Sequence, residues 1–242
     1  MIRIPSAPNF KSSRSALLAV VASVAFAATS AQAATLVDEV RGRDAAKAEQ
    51  LLAGSQVTLT QEVSGSVWPR TMVCQLFNGS PDEFAAVFAD YNSHKNFFKD
   101  MTRSEVVNQV SPTIADVGYT LEIPVIPGVP FTLPAENYTV RDTLSTYSSD
   151  QGPAFRIDWV RVTATEADEI NGNLRAETYN GRTVMCYTNF IKPKRSIARL
   201  VRSQSITRVQ ETATAIAQEV AQRRSSGALP ALVRSLRTAL GL

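Results

Sequence analysis

Residues able to do covalent or metal chemistry are few and widely spaced in this sequence. Two cysteines, Cys74 and Cys186, and one histidine, His94, occur in 242 residues. A zinc site needs several Cys or His ligands at short spacings, so we expect no metal centre. Each cysteine stands in an apolar segment typical of a strand. The pair therefore either forms a disulfide or remains as two buried thiols, and the sequence leaves both readings open.

Sequence motifs of the common enzyme classes are absent. There is no nucleophile elbow, Walker loop or dinucleotide fingerprint. His94 follows polar residues, which predicts a solvated side chain in a loop. A few polar side chains would assist acid–base chemistry if they met inside a cavity, namely Tyr119, Tyr138, Tyr187, Arg141 and Arg208. We therefore expect a protein without a cofactor or a covalent step.

The first 33 residues have the organisation of a secretory signal peptide. Three basic residues precede an apolar run at residues 16–28, and the triplet Ala-Gln-Ala at 31–33 predicts cleavage before Ala34. The apolar run is shorter than the roughly 20 residues that a membrane-spanning helix needs. No cysteine stands at the cleavage site to accept a lipid. The sequence therefore predicts export to the bacterial periplasm.

Removal of the signal peptide changes the charge balance. The whole chain has 25 basic and 22 acidic residues, and three of the basic residues lie in the signal, which leaves 22 of each sign. General affinity for nucleic acid, which depends on a basic surface, is not expected. Residues 34–191 carry a net charge of −8 and residues 192–242 carry +8. The sequence therefore predicts an acidic body followed by a basic C-terminal segment.

The hydrophobic periodicity predicts a mixed α+β domain. Helical spacing covers residues 36–53, and strand-like segments follow at 57–67 and 70–78. Ser80, Pro81 and Glu83 have the pattern of a capped helix N-terminus, so a short amphipathic helix is expected there. Alternation over residues 103–191 predicts about six antiparallel strands, and residues 194–223 predict a long helix that covers their apolar face. The sequence divides into a signal peptide (1–33), an N-terminal extension (34–66), a main domain (67–224) and a short amphipathic helix (225–242).

Three stretches resemble the START and Bet v 1-like superfamily. Residues 87–98 (VFADYNSHKNFF) are similar to its first helix-loop segment, and residues 157–187 are similar to its central meander. IKPKRSIARLV, at residues 191–201, resembles the entry into its last helix. The resemblance implies the helix-grip fold, which is a curved antiparallel β-sheet wrapped around a long C-terminal helix with an internal hydrophobic cavity.

The resemblance also implies a hydrophobic ligand, such as a lipid, sterol or quinone, held between sheet and helix. Small side chains near the middle of the predicted long helix would leave room for it. The opposite reading is close packing of that helix against bulky strand residues. The candidate cavity residues are Tyr119, Leu121, Ile123, Phe131, Tyr138, Val140, Phe155, Ile157, Trp159, Leu174, Tyr187, Val201, Ser205, Val209 and Ala213.

Three further segments suggest surface roles. The apolar, proline-rich residues 124–134 either cap a cavity mouth or form a stiff hairpin. Lys194, Arg195, Arg199 and Arg202 cluster at the predicted start of the long helix, where the helix dipole does not favour cations. They either pair with carboxylates of the same chain or contact a membrane or an envelope protein. The final amphipathic helix is expected to dock on the domain.

The favoured function is non-catalytic binding and transport of one hydrophobic small molecule by a monomer in the periplasm. Two alternatives remain open at this point. One is an enzyme of the polyketide cyclase or aromatase kind, which would need polar groups converging in the cavity. The other is a module that docks on an envelope complex through its basic C-terminal region.

Overall fold

A computed structural model describes residues 35–122 and 134–242. The predicted signal peptide lies outside the described residues, and so do Ile123, Phe131 and most of the proline-rich segment. In the described ranges, no helix has the length and apolar character needed to cross a membrane.

Eight strands form one curved antiparallel sheet with the spatial order β1-β2-β8-β7-β6-β5-β4-β3. The strands β3 to β8 are the six expected over the central region. Their bounds, with β1 and β2, are β1 Val57–Gln61, β2 Arg70–Phe77, β3 Met101–Ser111, β4 Ile114–Leu121, β5 Glu136–Ser149, β6 Gly152–Ala164, β7 Ala167–Tyr179 and β8 Arg182–Pro193. The helices are α1 Leu36–Arg43, α2 Ala45–Leu52, α3 Pro81–Ala89, α4 Arg202–Ser225 and α5 Leu229–Leu240, with 3-10 turns at Tyr91–Asn96 and Ser196–Val201.

One long N-terminal helix was expected, but the structure has two short ones separated at Asp44. Asp44 is extended (φ −159°), and its carboxylate accepts a hydrogen bond of 3.0 Å from the backbone N–H of Lys47. Aspartate competes with helical hydrogen bonding and favours the N-cap position, so it ends α1 and begins α2. The strand expected to reach residue 67 ends at Gln61, since Gly65 adopts a positive φ in a turn.

The predicted capped helix is confirmed as α3. The carboxylate of Glu83 accepts a hydrogen bond from the backbone N–H of Ser80 at 2.9 Å, and Pro81 occupies the first turn. The helix buries Phe84, Val87 and Phe88 against the sheet and the C-terminal helices. This packing places α3 over β6, β7 and β8, and the following 3-10 turn contacts β3.

The long helix starts later than expected. The backbone N–H of Lys194 bonds to the carbonyl of Glu166 at 2.9 Å, so the chain still follows the sheet at that point. A 3-10 turn comes next, as is common at helix N-termini, and α4 begins at Arg202. Along α4, Val209, Ala213, Ile216 and Val220 are buried in the main core.

Two separate hydrophobic cores cover the two faces of the sheet. The main core lies beneath α3, α4 and α5, and the final helix buries Leu229 and Leu236 there, which confirms the expected docking. A second core forms where α1 and α2 cover the other face at β1, β2 and β8. The backbone N–H of Leu36 donates to the buried carboxylate of Glu177 at 2.6 Å and ties α1 to the sheet. The N-terminal extension is therefore an integral layer of the domain.

Candidate functional site: a cavity between the sheet and the long helix

A cavity of about 100 Å³ lies between the inner face of the sheet, the end of α3 and the long helix α4. Its apolar and aromatic walls are formed by Phe88, Phe98, Met101, Tyr119, Leu121, Tyr138, Val140, Trp159, Ile170, Tyr187 and Ile191. The other lining residues are polar: His94, Lys99, Asp142, Asn189, Arg208 and Thr212. The cavity is smaller than the roughly 300–1,000 Å³ typical of sites for drug-sized ligands.

The structure brings six of the fifteen candidate cavity residues to this space: Tyr119, Leu121, Tyr138, Val140, Trp159 and Tyr187. Five others are packed in the main core instead: Phe155, Ile157, Leu174, Val209 and Ala213. Val201 is buried before α4, and Ser205 donates to the carbonyl of Arg202 at 2.7 Å, so neither lines the cavity. Strand alternation predicts which side chains face inward. It does not predict which of these positions α3 and α5 fill.

A row of directly opposed residues crosses the inner wall of the cavity. Asp142 on β5 faces Trp159 on β6, Trp159 faces Gly172 on β7, and Gly172 faces Asn189 on β8. A Cβ atom at Gly172 would lie 2.2 Å from the carbonyl oxygen of Thr188 and 2.4 Å from the Trp159 ring. Because residue 172 has no side chain, the Trp159 indole lies over it. Gly172 therefore sets the position of the Trp159 wall.

His94 is buried in the cavity wall, so the expectation of a solvated histidine was wrong. Its Nε2 lies 2.8 Å from the carbonyl oxygen of Phe88, and its Nδ1 lies 3.0 Å from the hydroxyl of Tyr119. Burial lowers the pKa of His94 to about 4, so the ring is neutral at pH 7. A carbonyl only accepts, which places the ring proton on Nε2. Tyr119 then donates its hydroxyl proton to Nδ1.

Asp142 is the most unusual polar group of the site. Its side chain is 1 % exposed, and within residues 35–122 and 134–242 Oδ2 has no hydrogen-bond partner. Burial raises the pKa of this carboxyl well above its usual range, and the nearby negative charge of Asp116 adds to the shift. An unpaired buried carboxylate is costly, so the arrangement favours the protonated acid. The cavity thus contains a carboxyl group for which the protonated form is favoured.

We predict that Asp142→Asn changes the pH dependence of stability. Because burial raises the pKa of Asp142, the folded chain holds the proton more tightly than the unfolded chain does. This contribution is fully present below the unfolded pKa near 4 and is lost as the pH rises through the folded value. The melting temperature of the variant minus that of the wild type should therefore increase from pH 4 to pH 7. The increase should be about 2–4 °C for each ~1 kcal/mol of stability that the wild type loses.

Thermal unfolding of both proteins across this pH range tests the prediction. Asp150→Asn, in the exposed turn between β5 and β6, is the matched control and should give a difference that stays nearly constant. A constant difference for Asp142→Asn would show that the carboxyl has the same proton affinity in both states.

Ion pairs at the edge of the cavity join α4 to the segment before β3. Arg208 pairs with Asp100, and it also lies 3.2 Å from Glu211 one turn further along α4. The ammonium of Lys99 lies 3.6 Å from the carboxylate of Glu211. These groups are partly exposed, so each pair is worth little on its own. Together they place both cations of the cavity lining next to acidic partners.

Other candidate polar residues lie away from the cavity. Arg141 is on the outer face of β5, where it makes two hydrogen bonds, of 2.8 and 3.0 Å, to Asp116. It was a candidate for acid–base chemistry, but adjacent strand residues point to opposite faces, and Asp142 takes the inward position. Arg141 therefore forms an ion pair with Asp116 on the outer surface of the sheet and does not line the cavity.

Of the basic cluster expected on the first turns of α4, only Arg202 lies in that helix, as its first residue. Lys194 donates to the carbonyls of Ala164 and Thr165, and Arg195 makes two hydrogen bonds to Glu166. Arg202 pairs with Glu62 and donates to the carbonyl of Val67 at 3.0 Å, while Arg199 is exposed. Three of the four cations thus tie loops of the same chain. A membrane or protein contact through this cluster stays a prediction.

Sequence reasoning missed Asp142 and His94, although one signal was available for each. Asp142 occupies the inward phase of β5 between Val140 and Leu144, where a polar residue breaks the apolar alternation. His94 follows Tyr91 by three residues and precedes Phe97 by three, which puts three rings on one face of a helical turn. In both cases the signal was a polar residue at a position whose neighbours on the same face are apolar or aromatic.

Comparison with known proteins gives a likeness of structure alone. No family model matches the sequence, and no curated protein matches it. A STAR-related lipid transfer protein from Xanthomonas axonopodis (fragment 25–204) superposes with a TM-score of 0.55 at 14 % identity over 69 % of this chain and 98 % of that one. Human StAR-related lipid transfer protein 5 gives a TM-score of 0.52 at 8 % identity over 78 % of this chain and 98 % of that one. Human STARD10 gives a TM-score of 0.52 at 10 % identity over 72 % and 77 % of the two chains. The eight-stranded sheet closed by a long C-terminal helix is the helix-grip fold of the START domains, and this chain has that fold.

Proposed function

We propose that this protein binds one hydrophobic small molecule between the sheet and α4 and carries it through an aqueous compartment without covalent chemistry. The observation that carries the proposal is the cavity itself, which is walled by six aromatic side chains and several aliphatic ones in the interior of a START fold. Affinity would come from apolar burial, at about 25 cal/mol per Å². The lipid transfer function stated for two of the similar structures agrees with this proposal.

The size of the cavity restricts what it holds as described. A volume of about 100 Å³ accommodates a small molecule or the end of a larger one. A larger ligand requires α4 to move away from the sheet. The ion pairs of Lys99 and Arg208 are the polar contacts that such a movement would break, and they are partly exposed. Widening at this edge therefore has a modest electrostatic cost.

The proposed compartment is the periplasm. The basic, apolar and small-residue regions of residues 1–33 support export, since this order is typical of a cleaved secretory signal. The Cys74–Cys186 disulfide agrees with folding in an oxidising compartment. A carrier there would move apolar cargo between two membranes.

Ligand recovery with a cavity-blocking variant tests the function. The chain is purified from the periplasm of its native host, and organic extracts and intact complexes are analysed by mass spectrometry. We expect a stoichiometric apolar ligand with the wild type. Val140→Phe places a ring in the cavity and should lower ligand occupancy at least tenfold. An overpacking cost of about 1–3 kcal/mol is expected, so folding is checked by circular dichroism.

Val160→Phe is the matched control. It is the same substitution, but Val160 lies on the neighbouring strand and is 54 % exposed. It should keep full occupancy. A wild type without any bound apolar molecule that also ignores a panel of apolar ligands would contradict the proposal. Equal occupancy in the two phenylalanine variants would place the ligand somewhere else.

A second candidate function is an acid–base enzyme of the cyclase kind. It is favoured by one observation, the convergence of Asp142, His94 and Tyr119 on a single cavity. A neutral imidazole bonded to a tyrosine hydroxyl is suited to moving a proton. Chemical conversion of an added polyketide-like compound, detected by the same mass spectrometry, would favour this candidate over a carrier.

A further inference from the structure

The buried carboxyl of Asp142 lacks a partner among the described residues. They offer Oδ2 no hydrogen bond and place no cation within salt-bridge distance of the side chain. Arg141, the next residue along β5, pairs with Asp116 on the opposite face of the sheet. Arg208 and Lys99, the two cations of the cavity lining, pair with Asp100 and Glu211. The acid therefore faces the cavity without a counter-ion.

Three tyrosines line the same cavity as this carboxyl, namely Tyr119, Tyr138 and Tyr187. Tyr138 lies on the same face of β5 as Asp142, and the ring of Tyr187 stacks on Trp159, which is directly opposite Asp142. Tyr119 donates to His94, so its oxygen keeps a free acceptor site. Tyr138 and Tyr187 also line this cavity, and each hydroxyl is able to donate and to accept a hydrogen bond. Donors and acceptors thus meet around one small space.

The folded chain alone does not explain this arrangement. A buried polar group without a hydrogen bond typically costs about 1–3 kcal/mol, whereas an apolar residue of similar volume at this position would contribute favourably. A group that destabilises the free protein and faces a cavity is typical of a binding site, because a bound molecule supplies the missing partner.

We infer that Asp142, with Tyr138 and Tyr187, forms a polar anchor for an uncharged hydroxyl group at the inner end of a hydrophobic ligand. This inference rests on the proposed function and names its ligand class, apolar alcohols or phenols. A hydroxyl accepts from the protonated carboxyl and donates to a tyrosine oxygen, so it satisfies both kinds of group. A carboxylate or phosphate head has no hydrogen to donate to a tyrosine oxygen and would place an unpaired negative charge in the cavity. An ammonium head has no acceptor for the carboxyl proton.

Four probes that share one methylphenyl body test the anchor: toluene, p-cresol, p-toluate and 4-methylbenzylammonium. One ring is used because the cavity is small. Affinities are measured by isothermal titration calorimetry at pH 6. We expect p-cresol to bind the wild type about tenfold more tightly than toluene does, which corresponds to one well-placed buried hydrogen bond. The two charged probes should bind more weakly than p-cresol.

Substitutions at Asp142 separate the anchor from the cavity. Asp142→Leu should keep toluene binding within about threefold and reduce the preference for p-cresol to less than threefold. Asp142→Asn, which still donates and accepts, should keep most of the preference. Asp150→Leu in the exposed β5–β6 turn should change neither affinity. Melting curves check folding, and the Asn variant gives a second measurement if the Leu variant does not fold.

The outcomes distinguish the two proposals. Equal affinities of toluene and p-cresol for the wild type would overturn the anchor and leave the hydrophobic cavity intact. Tightest binding of 4-methylbenzylammonium would overturn it in favour of an ionised Asp142 that binds cations. If none of the four probes binds, the anchor fails as well, while the proposed function is decided separately by recovery of a bound apolar molecule from the wild type.

Discussion

Loss of the Cys74–Cys186 disulfide is expected to lower the free energy of unfolding by about 4–5 kcal/mol, a large share of the roughly 5–15 kcal/mol typical of a domain. The two cysteines are 112 residues apart in sequence, so the bond closes a long loop and restricts the unfolded chain strongly. They are directly opposed on β2 and β8, and both are fully buried beneath α1 and α2. The bond therefore ties the second strand to the last one, next to the edge strand β1.

Urea unfolding with and without a thiol reductant measures this effect. The reductant acts on the unfolded chain, so the transition should move to a lower urea concentration when it is present. The Cys74→Ala/Cys186→Ala variant is the control, because it should unfold at the same concentration in both conditions. Thiol labelling of the unfolded wild type reports the oxidation state. Coincident wild-type transitions with and without reductant would contradict the prediction.

Substitution of Gly172 by alanine is expected to destabilise the protein by about 3 kcal/mol or more and to disturb the cavity. The new Cβ would lie 2.2 Å from the backbone carbonyl oxygen of Thr188, which is held in the sheet and has little freedom to move. It would also lie 2.4 Å from the Trp159 ring, which forms the cavity wall. Both the strand pairing of β7 with β8 and the position of Trp159 should change.

Gly118→Ala provides a matched control on β4. A Cβ at Gly118 would meet the side chains of Val107 at 3.0 Å and Arg103 at 3.3 Å. These are side-chain atoms of the edge strand β3, which adjust more easily than a backbone carbonyl. Thermal unfolding should show a loss for Gly118→Ala of about 1 kcal/mol or less. Similar losses for both variants would show that β7 and β8 move apart readily, contrary to the expectation for Gly172→Ala.

Local elements of the fold are predictable from this sequence because their causes are local. Ser80, Pro81 and Glu83 act within one helical turn, and they define the start of α3 without help from distant residues. Alternation between Val117, Tyr119 and Leu121 reflects one sheet face, so β4 and its inward side were expected. The error at Asp44 had a local cause as well. Apolar residues have helical spacing on both sides of Asp44, but this aspartate ends one helix and begins the next.

The candidate site was harder to predict because its members come from eight helices and strands and one 3-10 turn. Phe88 and His94 belong to the segment around α3, while Asp142, Trp159 and Tyr187 lie on separate strands. The strand pattern identifies inward side chains, but only the packing of α3, α4 and α5 decides which remain beside a cavity. Phe155 and Ile157 are inward residues that this packing covers.

By itself, the sequence determined the order of helices and strands, the polarity of each strand face, the capped start of α3 and the docking face of α5. These properties follow from hydrophobic periodicity, capping and turn chemistry, which act over a few residues. Only the tertiary structure decided that Cys74 lies opposite Cys186, that His94 is buried against Tyr119, and that Asp142 faces the cavity without a partner. Each of these depends on strand register and helix packing, which join residues 25 to 112 positions apart. Burial and pairing of a polar group are set by such long-range neighbours, and no local pattern contains them.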